Sequence, residues 1–501
     1  LALALRGFPG DPIAQTINNP KWVDEGPLEL SPDRSRFALT YSIVEDKSPS
    51  FSLPVAKFAT PDLGYIDGKY VSLFAPGISF LTIPGYLVGK YLGSAQVGSF
   101  AVISLFAILN VVLIRAIAVK IGASPLAATI ASLIFLFATP AFAYGVTLYQ
   151  HHVSTFLALA SIFLLIRFKG VWPLFLIWLM SAAAIVVDYP NIFLMLPVGL
   201  FALGRIFFVK NNHSAVAFNL KPLGFLTFMT AVLPLSFLLW FNQISYGNPT
   251  QLSGTVASVK AIDEQGLPTI PEQFKNQENA ERFTNPQLQQ KTATKFFKTR
   301  NMLNGFYTHL LSLDRGILVY TPVMLFAIFG VFQLYRTNNK LVALFLAIIG
   351  INLTLYSMWG DPYGGWAFGS RYLIPSYAIM SILISQVLTN WKKNNLFLFL
   401  FVLIASYSIA INTLGAVTSS RNPPKIEAIG LSALSGIEEK YTPQRNLDFL
   451  KSNRSKSFIF QTFAFKYLTA WQYYLILTSI IVAVISGALI YHRLEKQNVR
   501  V

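Results

Sequence analysis

Residues 97–114 run without a single charged side chain and are followed at once by Arg115. A stretch of that length and composition satisfies its backbone polar groups only as a helix, and it is long enough to cross a bilayer. Comparable stretches lie at about 97–120, 124–146, 152–166, 172–188, 190–208, 223–242, 316–335, 341–358, 372–390, 395–415 and 471–491. Of the 501 residues, 54% are hydrophobic and 12% charged, more apolar surface than a water-soluble fold of this size can hide. The fold class predicted is therefore an all-α polytopic membrane protein.

The charges give it an orientation. Arg115 and Lys120, Arg167 and Lys169, Arg205 and Lys210, Arg336 and Lys340, Lys392 and Lys393, and the final group His492, Arg493 and Lys496 mark every second helix boundary. Such boundaries face the cytoplasm, so the formal charge of +17 reports topology rather than nucleic-acid binding. Residues 1–10, LALALRGFPG, read as the outer end of a first, truncated membrane helix, with a cleaved signal peptide as the alternative; counted as a helix, they bring the expected number to about twelve spans with both termini inside. Segments 11–95, 243–314, 359–372 and 416–468 then share the extracytoplasmic face. Helices of 96–242 and 315–415 form the membrane part, and 469–501 is the last span with a cytoplasmic tail. Inside the first loop, Arg36–Glu45 and Ile78–Tyr91 are expected as amphipathic surface helices.

Several chemistries lack a signal. The chain contains no cysteine, hence no disulfide and no zinc–thiolate site. It also contains no GxxxxGK[ST], GxGxxG or HExxH motif, and no internal repeat of the kind many transporters carry.

Candidate site residues gather on the outer loops. The stretch GDPYGGWAFGSRYL, 360–373, joins Asp361, Tyr363, Trp366 and Arg371 among four glycines. Ring faces and a guanidinium fork suit a sugar on a phosphate, and an interfacial aromatic belt would use the same residues. Asp33, flanked by Arg34 and Arg36 before a helix, is placed either to take a proton from a hydroxyl or to cap the helix. Asp11 in GFPGDP competes with it, and Asp188 is a further acid near a boundary. Lys69 and Tyr70 follow an Asp67–Gly68 turn, with Lys69 able to reach a phosphate or to snorkel. Adjacent residues His151 and His152 in LYQHH point to different sides of a helix, which suits hydrogen bonding rather than chelation, and no metal site is predicted. Arg315 in LDRGILVYTPV is a second anion contact.

Six motifs in order, DRSRFALTYSIVE, DGKYVSLFAPGISFLTIPGYLVG, LYQHH, FNQISYGNP, LDRGILVYTPV and YGGWAFGSRYL, span residues 31 to about 415. Together they resemble the GT-C superfamily of integral-membrane glycosyltransferases, in particular bacterial and archaeal members related to protein O-mannosyltransferases and lipid A aminoarabinose transferases. The resemblance implies a GT-C fold in a bacterial or archaeal cytoplasmic membrane. It also implies a polyprenyl-phosphate sugar donor, an extracytoplasmic acceptor (envelope glycan, lipid or protein) and inverting transfer. The base would be Asp33 or Asp11; the family acid usually follows the first helix closely, which favours Asp11, whereas the DRSRFAL pattern favours Asp33. Arg371, Lys69, Arg315 and His151 would surround the donor phosphate, and Tyr70, Trp366, Tyr363, Asp361 and His152 the sugar. Some relatives use a divalent cation and others do not; oligomeric state is not readable. The rival readings are a flippase or exporter of lipid-linked glycans, and a non-catalytic subunit of an envelope complex. A transporter calls for ionisable groups in mid-membrane, whereas here they cluster at one boundary.

Overall fold

The computed structural model describes residues 1–23, 25–212, 215–270 and 292–494. Residues 271–291 of the long polar segment and Lys496 of the tail lie outside the described residues. The protein is mostly helical. Among the described residues six helices are long and apolar enough to cross a membrane: Ala95–Lys120, Leu223–Tyr246, Asn339–Ser357, Arg371–Asn390, Asn395–Val417 and Ala470–Leu494. Pro125–Phe137, His151–Arg167, Pro173–Val187, Asn191–Leu203 and Pro322–Tyr335 are apolar but shorter. The expected count of about twelve full spans is thus met only in part. At 124–146 the cause is Pro140: the helix ends at Phe137, and a short turn, Ala141–Tyr144, follows. Residues 1–10, expected as a helix end, form one 3-10 turn at Ala2–Ala4, after which Arg6 bridges Ser457.

The all-α expectation also needs correction. A four-stranded antiparallel sheet orders Ser50–Phe51, Lys69–Ser72, Leu63–Ile66 and Ser258–Val259, with Ile66 opposite Lys69 and Leu63 opposite Val259. Two further strand pairs are Phe207–Asn212 with Ala215–Leu220 and Ala261–Ile262 with Pro268–Thr269. Asp67 and Gly68 both have positive φ (48° and 76°), the backbone of a tight two-residue hairpin.

The first loop builds its own lobe. The surface helix expected at Arg36–Glu45 instead forms as Ser31–Tyr41, extended by a wider turn over Ser42–Asp46, and every residue from Asp33 to Tyr41 is buried. Phe37, Ala38 and Leu39 enter an apolar cluster with Phe58, Ile78 and Tyr86. Its two arginines can follow because the fold supplies acceptors: Arg34 donates to the carbonyls of Phe58 and Thr60, both at 2.8 Å. The second expected helix forms as Gly77–Leu81 and Ile83–Tyr91. It lies against Ala95–Lys120 so closely that a Cβ on Gly98 would meet the Gly89 Cα at 2.7 Å. Small residues at such a crossing let two backbones touch and fix the lobe to the membrane helices.

Candidate active site

A polar cleft of about 590 Å³ opens between this lobe, the 359–372 loop and the start of the 416–468 segment. Ser31, Arg34, Trp359, Asp361, Trp366 and Arg371 all line it. The loop is shaped by its own residues. Asp361 accepts hydrogen bonds from the backbone N–H groups of Tyr363 and Gly365, and Gly364 and Gly365 take positive φ (73° and 62°) that side-chain-bearing residues rarely adopt. Arg315 braces the loop from beneath, donating to the carbonyls of Tyr363 and Gly365 at 2.9 Å and Asn422 at 3.0 Å.

Behind the cleft wall lies a group of buried polar atoms with little to bind. Both oxygens of Asp33, the hydroxyl of Tyr149, the Nε2 of His151 and the Nε and Nη1 of Arg371 have no hydrogen-bond partner among the described residues. The Arg371 guanidinium donates through Nη2 to the Gly364 carbonyl at 2.6 Å, with the Tyr372 side chain beside it. The Tyr149 ring lies between two guanidiniums, Arg371 at 4.6 Å and Arg36 at 5.4 Å. Arg36 in turn donates to Gln150 at 2.7 Å, and Gln150 donates to Asp188 at 3.0 Å. Native interiors pair nearly all such atoms, with protein or with ordered water, so several of them close together form a candidate site for binding or reaction.

Asp33 is 0% exposed and makes no cap bond to the helix it begins. Burial pushes its carboxyl up to about 7, against the pull of Arg36, Arg6 and Arg371. Its neighbours Ser31, Pro32 and Arg34 reach the cleft surface. Three guanidiniums and one carboxylate, Glu29, act on it, and among the described residues there is no group of three or more His, Asp or Glu that could hold a metal ion.

The remaining expected site residues are distributed as follows. Trp366 is in the cleft, its indole N–H donating to Glu427 at 2.5 Å and its ring 5.2 Å from Arg421. His151 stacks on Tyr149 and borders a cavity of about 10 Å³, room for one water, with Asp188 and Tyr372. His152 is turned away, its nitrogens held by the Ala141 carbonyl and Asn110. Arg315 gives its guanidinium to carbonyls and so braces rather than faces the cleft. Tyr363 lies on the far side of the loop, in a second cavity. Lys69 and Tyr70 are not at the cleft: Lys69 is exposed beside the hairpin turn, and Tyr70 packs on Tyr65 and donates to the Gly266 carbonyl. Asp11 accepts from the Ala95 N–H and so closes the start of Ala95–Lys120, and it does not line the cleft.

Unanticipated are Asp62, Lys260 and Glu29 in the cleft wall. Glu29 is buried between Arg6 at 2.7 Å and Lys456 at 3.6 Å. Burial alone would raise the Glu29 carboxyl, but Lys456 and Arg6 hold it below its ordinary value. On the membrane side, an apolar groove of about 440 Å³ between Asn191–Leu203 and Asn339–Ser357 is lined by Phe193, Phe297, Ile351 and Leu355. Trp359, packed on Phe296 and Phe297, separates its mouth from the cleft.

No protein-family model matches the chain, and no curated protein does. Among solved structures the chain is similar to ArnT from Cupriavidus metallidurans in the apo state, at 12% identity over 97% of this chain and 74% of that one, TM-score 0.44. It is similar to the same protein bound to undecaprenyl phosphate, at 12% identity over 98% and 75%, TM-score 0.46. The Archaeoglobus fulgidus oligosaccharyltransferase in its apo form matches at 14% identity over 89% of this chain and 55% of that one, TM-score 0.38.

Proposed function

We propose that this chain is a membrane glycosyltransferase of the kind its motifs resemble, moving one sugar from a polyprenyl phosphate to an acceptor hydroxyl at the outer face of the membrane. The observation that carries this reading is the convergence of Asp33, Tyr149 and Arg371, all buried with open polar atoms, behind a polar cleft. The adjoining apolar groove is where the polyprenyl chain would run, its phosphate reaching the cleft past Trp359.

The chemistry balances with these groups. The acceptor oxygen bonds to the anomeric carbon while the bond from that carbon to the phosphate oxygen breaks. The electron pair leaves with the phosphate, and the hydroxyl proton passes to Asp33. Displacement from the opposite face inverts the anomeric centre. Arg371 steadies the negative charge that grows on the leaving phosphate, in a site poor in water where one such contact counts heavily. Asp11, already engaged at a helix start, is the lesser candidate for this role.

The test is sugar transfer in proteoliposomes carrying polyprenyl-phosphate sugars. Arg371→Lys keeps the charge but not the fork and is expected to lower turnover by about 10²–10³-fold. Lys69→Ala is the control, expected to change neither turnover nor stability (within about 0.5 kcal/mol), because its side chain is in solvent. Equal turnover in wild type and Arg371→Lys, or no transfer by wild type from any polyprenyl donor, would overturn the reading.

A further inference from the structure

The 359–372 loop has two faces, and only one borders the cleft. Its other face closes a separate cavity of about 310 Å³, within the range of ligand sites. Three rings stand around it: Tyr307 from helix Met302–Leu310, Tyr363 from the loop and Tyr441 ahead of helix Pro443–Lys451. Ser312, Asp314 and Lys425 supply its polar groups. Asp314 is 5% exposed, and one of its oxygens accepts from the Lys425 backbone N–H at 2.9 Å, which fixes the carboxyl at the start of helix Lys425–Ser435. Next to it, Arg315 holds the carbonyl of Tyr363 itself.

We propose that this cavity is a carbohydrate subsite that holds a sugar of the acceptor, one step removed from the transfer cleft. Tyrosine faces cover the C–H faces of a pyranose, while hydroxyls, a carboxylate and an ammonium group take its hydroxyl groups. An acyl chain would leave those polar groups without partners, which is costly in so small a space. The apolar rim, Leu313, Ile426 and Ile429, keeps water from the stacking faces. The naming of an acceptor rests on the transferase reading; the binding of a sugar does not. A glycan crossing the 359–372 loop would place one residue here and its acceptor hydroxyl in the cleft.

Binding is measured directly, without donor, on the full chain in phosphatidylethanolamine and phosphatidylglycerol nanodiscs free of sugar detergent. The probes are neutral trisaccharides of glucose, of mannose and of N-acetylglucosamine, read by saturation-transfer NMR. At least one is expected to bind, with affinity falling about tenfold in Tyr307→Ala and in Tyr441→Ala and unchanged in Lys69→Ala, whose side chain is exposed and borders neither cavity. Thermal stability of each variant checks the fold, and Tyr307, being 57% exposed, is replaceable without disturbing the core. The proposal is overturned if no probe binds, if the tyrosine variants bind as tightly as wild type, or if dihexanoyl phosphatidylcholine displaces the sugar at equal concentration. Binding without any transfer would sink the transferase reading and leave the subsite standing. For transfer itself, the tyrosine variants are expected to raise KM for the acceptor about tenfold at unchanged kcat.

Discussion

Asp33→Asn is expected to abolish most transfer, by about 10²–10⁴-fold, while making the folded protein more stable above neutral pH. The two effects come from one placement. A carboxyl with no exposed surface and no hydrogen-bond partner holds its proton up to about pH 7 instead of the ordinary 3.8. Between those values the folded chain carries a proton that the unfolded chain has lost. The stability linked to that proton is complete below the ordinary value and is lost as pH rises through about 7. Asparagine has no charge to bury, so the variant keeps its stability on the alkaline side. Catalysis runs the other way, since only the deprotonated acid can accept the hydroxyl proton. Wild-type transfer should therefore climb through a pH near 7, and the variant's residual rate should show no such rise. Transfer and melting are measured together across roughly pH 5.5–8.5. A variant that transfers normally, or a wild-type profile that is flat, removes Asp33 from the mechanism.

Much of this site could be read from short-range pattern. The glycines, Asp361, Trp366 and Arg371 of GDPYGGWAFGSRYL are close in sequence and fold as one loop, so their association in the cleft needed no knowledge of the rest of the chain. Asp33 was legible as an acid among arginines, but its burial was not. Asp33 and its arginines, placed before and at the start of a helix expected over Arg36–Glu45, read as surface residues until the carbonyls of Phe58 and Thr60 and the amide of Gln150 are known to await the arginines. Charge satisfaction at that distance is a property of the fold. The hairpin was different, because Asp67–Gly68 between Tyr65–Ile66 and Lys69–Tyr70 is a strong hairpin signal. Reading it as a turn before a surface helix put Lys69 near a phosphate, when strand alternation sends it to solvent. Arg315 is another case: a guanidinium at a helix mouth can be a ligand or a brace, and the four carbonyls around it, those of Asp314, Tyr363, Gly365 and Asn422, favour the brace.

Least visible of all was Glu29, and replacing it is expected to cost more stability than any other single change considered. Its partners are Arg6, near one end of the chain, and Lys456, near the other. Arg6 is 0% exposed and also donates to the Gly415 carbonyl and the Ser420 hydroxyl. Lys456 donates to the Glu25 and Gly26 carbonyls at 2.7 and 2.9 Å. Glu29→Gln preserves shape but leaves two buried cations facing each other without the carboxylate that neutralised them. Breaking a buried pair in this way costs about 3–5 kcal/mol, and because large membrane proteins often unfold irreversibly the loss is best read as a shortened half-life at fixed temperature. Adding Lys456→Met removes one of the stranded cations, so the double variant should outlast Glu29→Gln alone, the non-additivity expected of residues in one network. Turnover should fall as well, since Glu29 leads directly through Leu30 into the turn that carries Asp33. A Glu29→Gln protein as durable as wild type would mean that the segments carrying Arg6 and Lys456 are held to each other by packing, through Ala4 and the Leu450 and Phe460 side chains, rather than by the charges around Glu29.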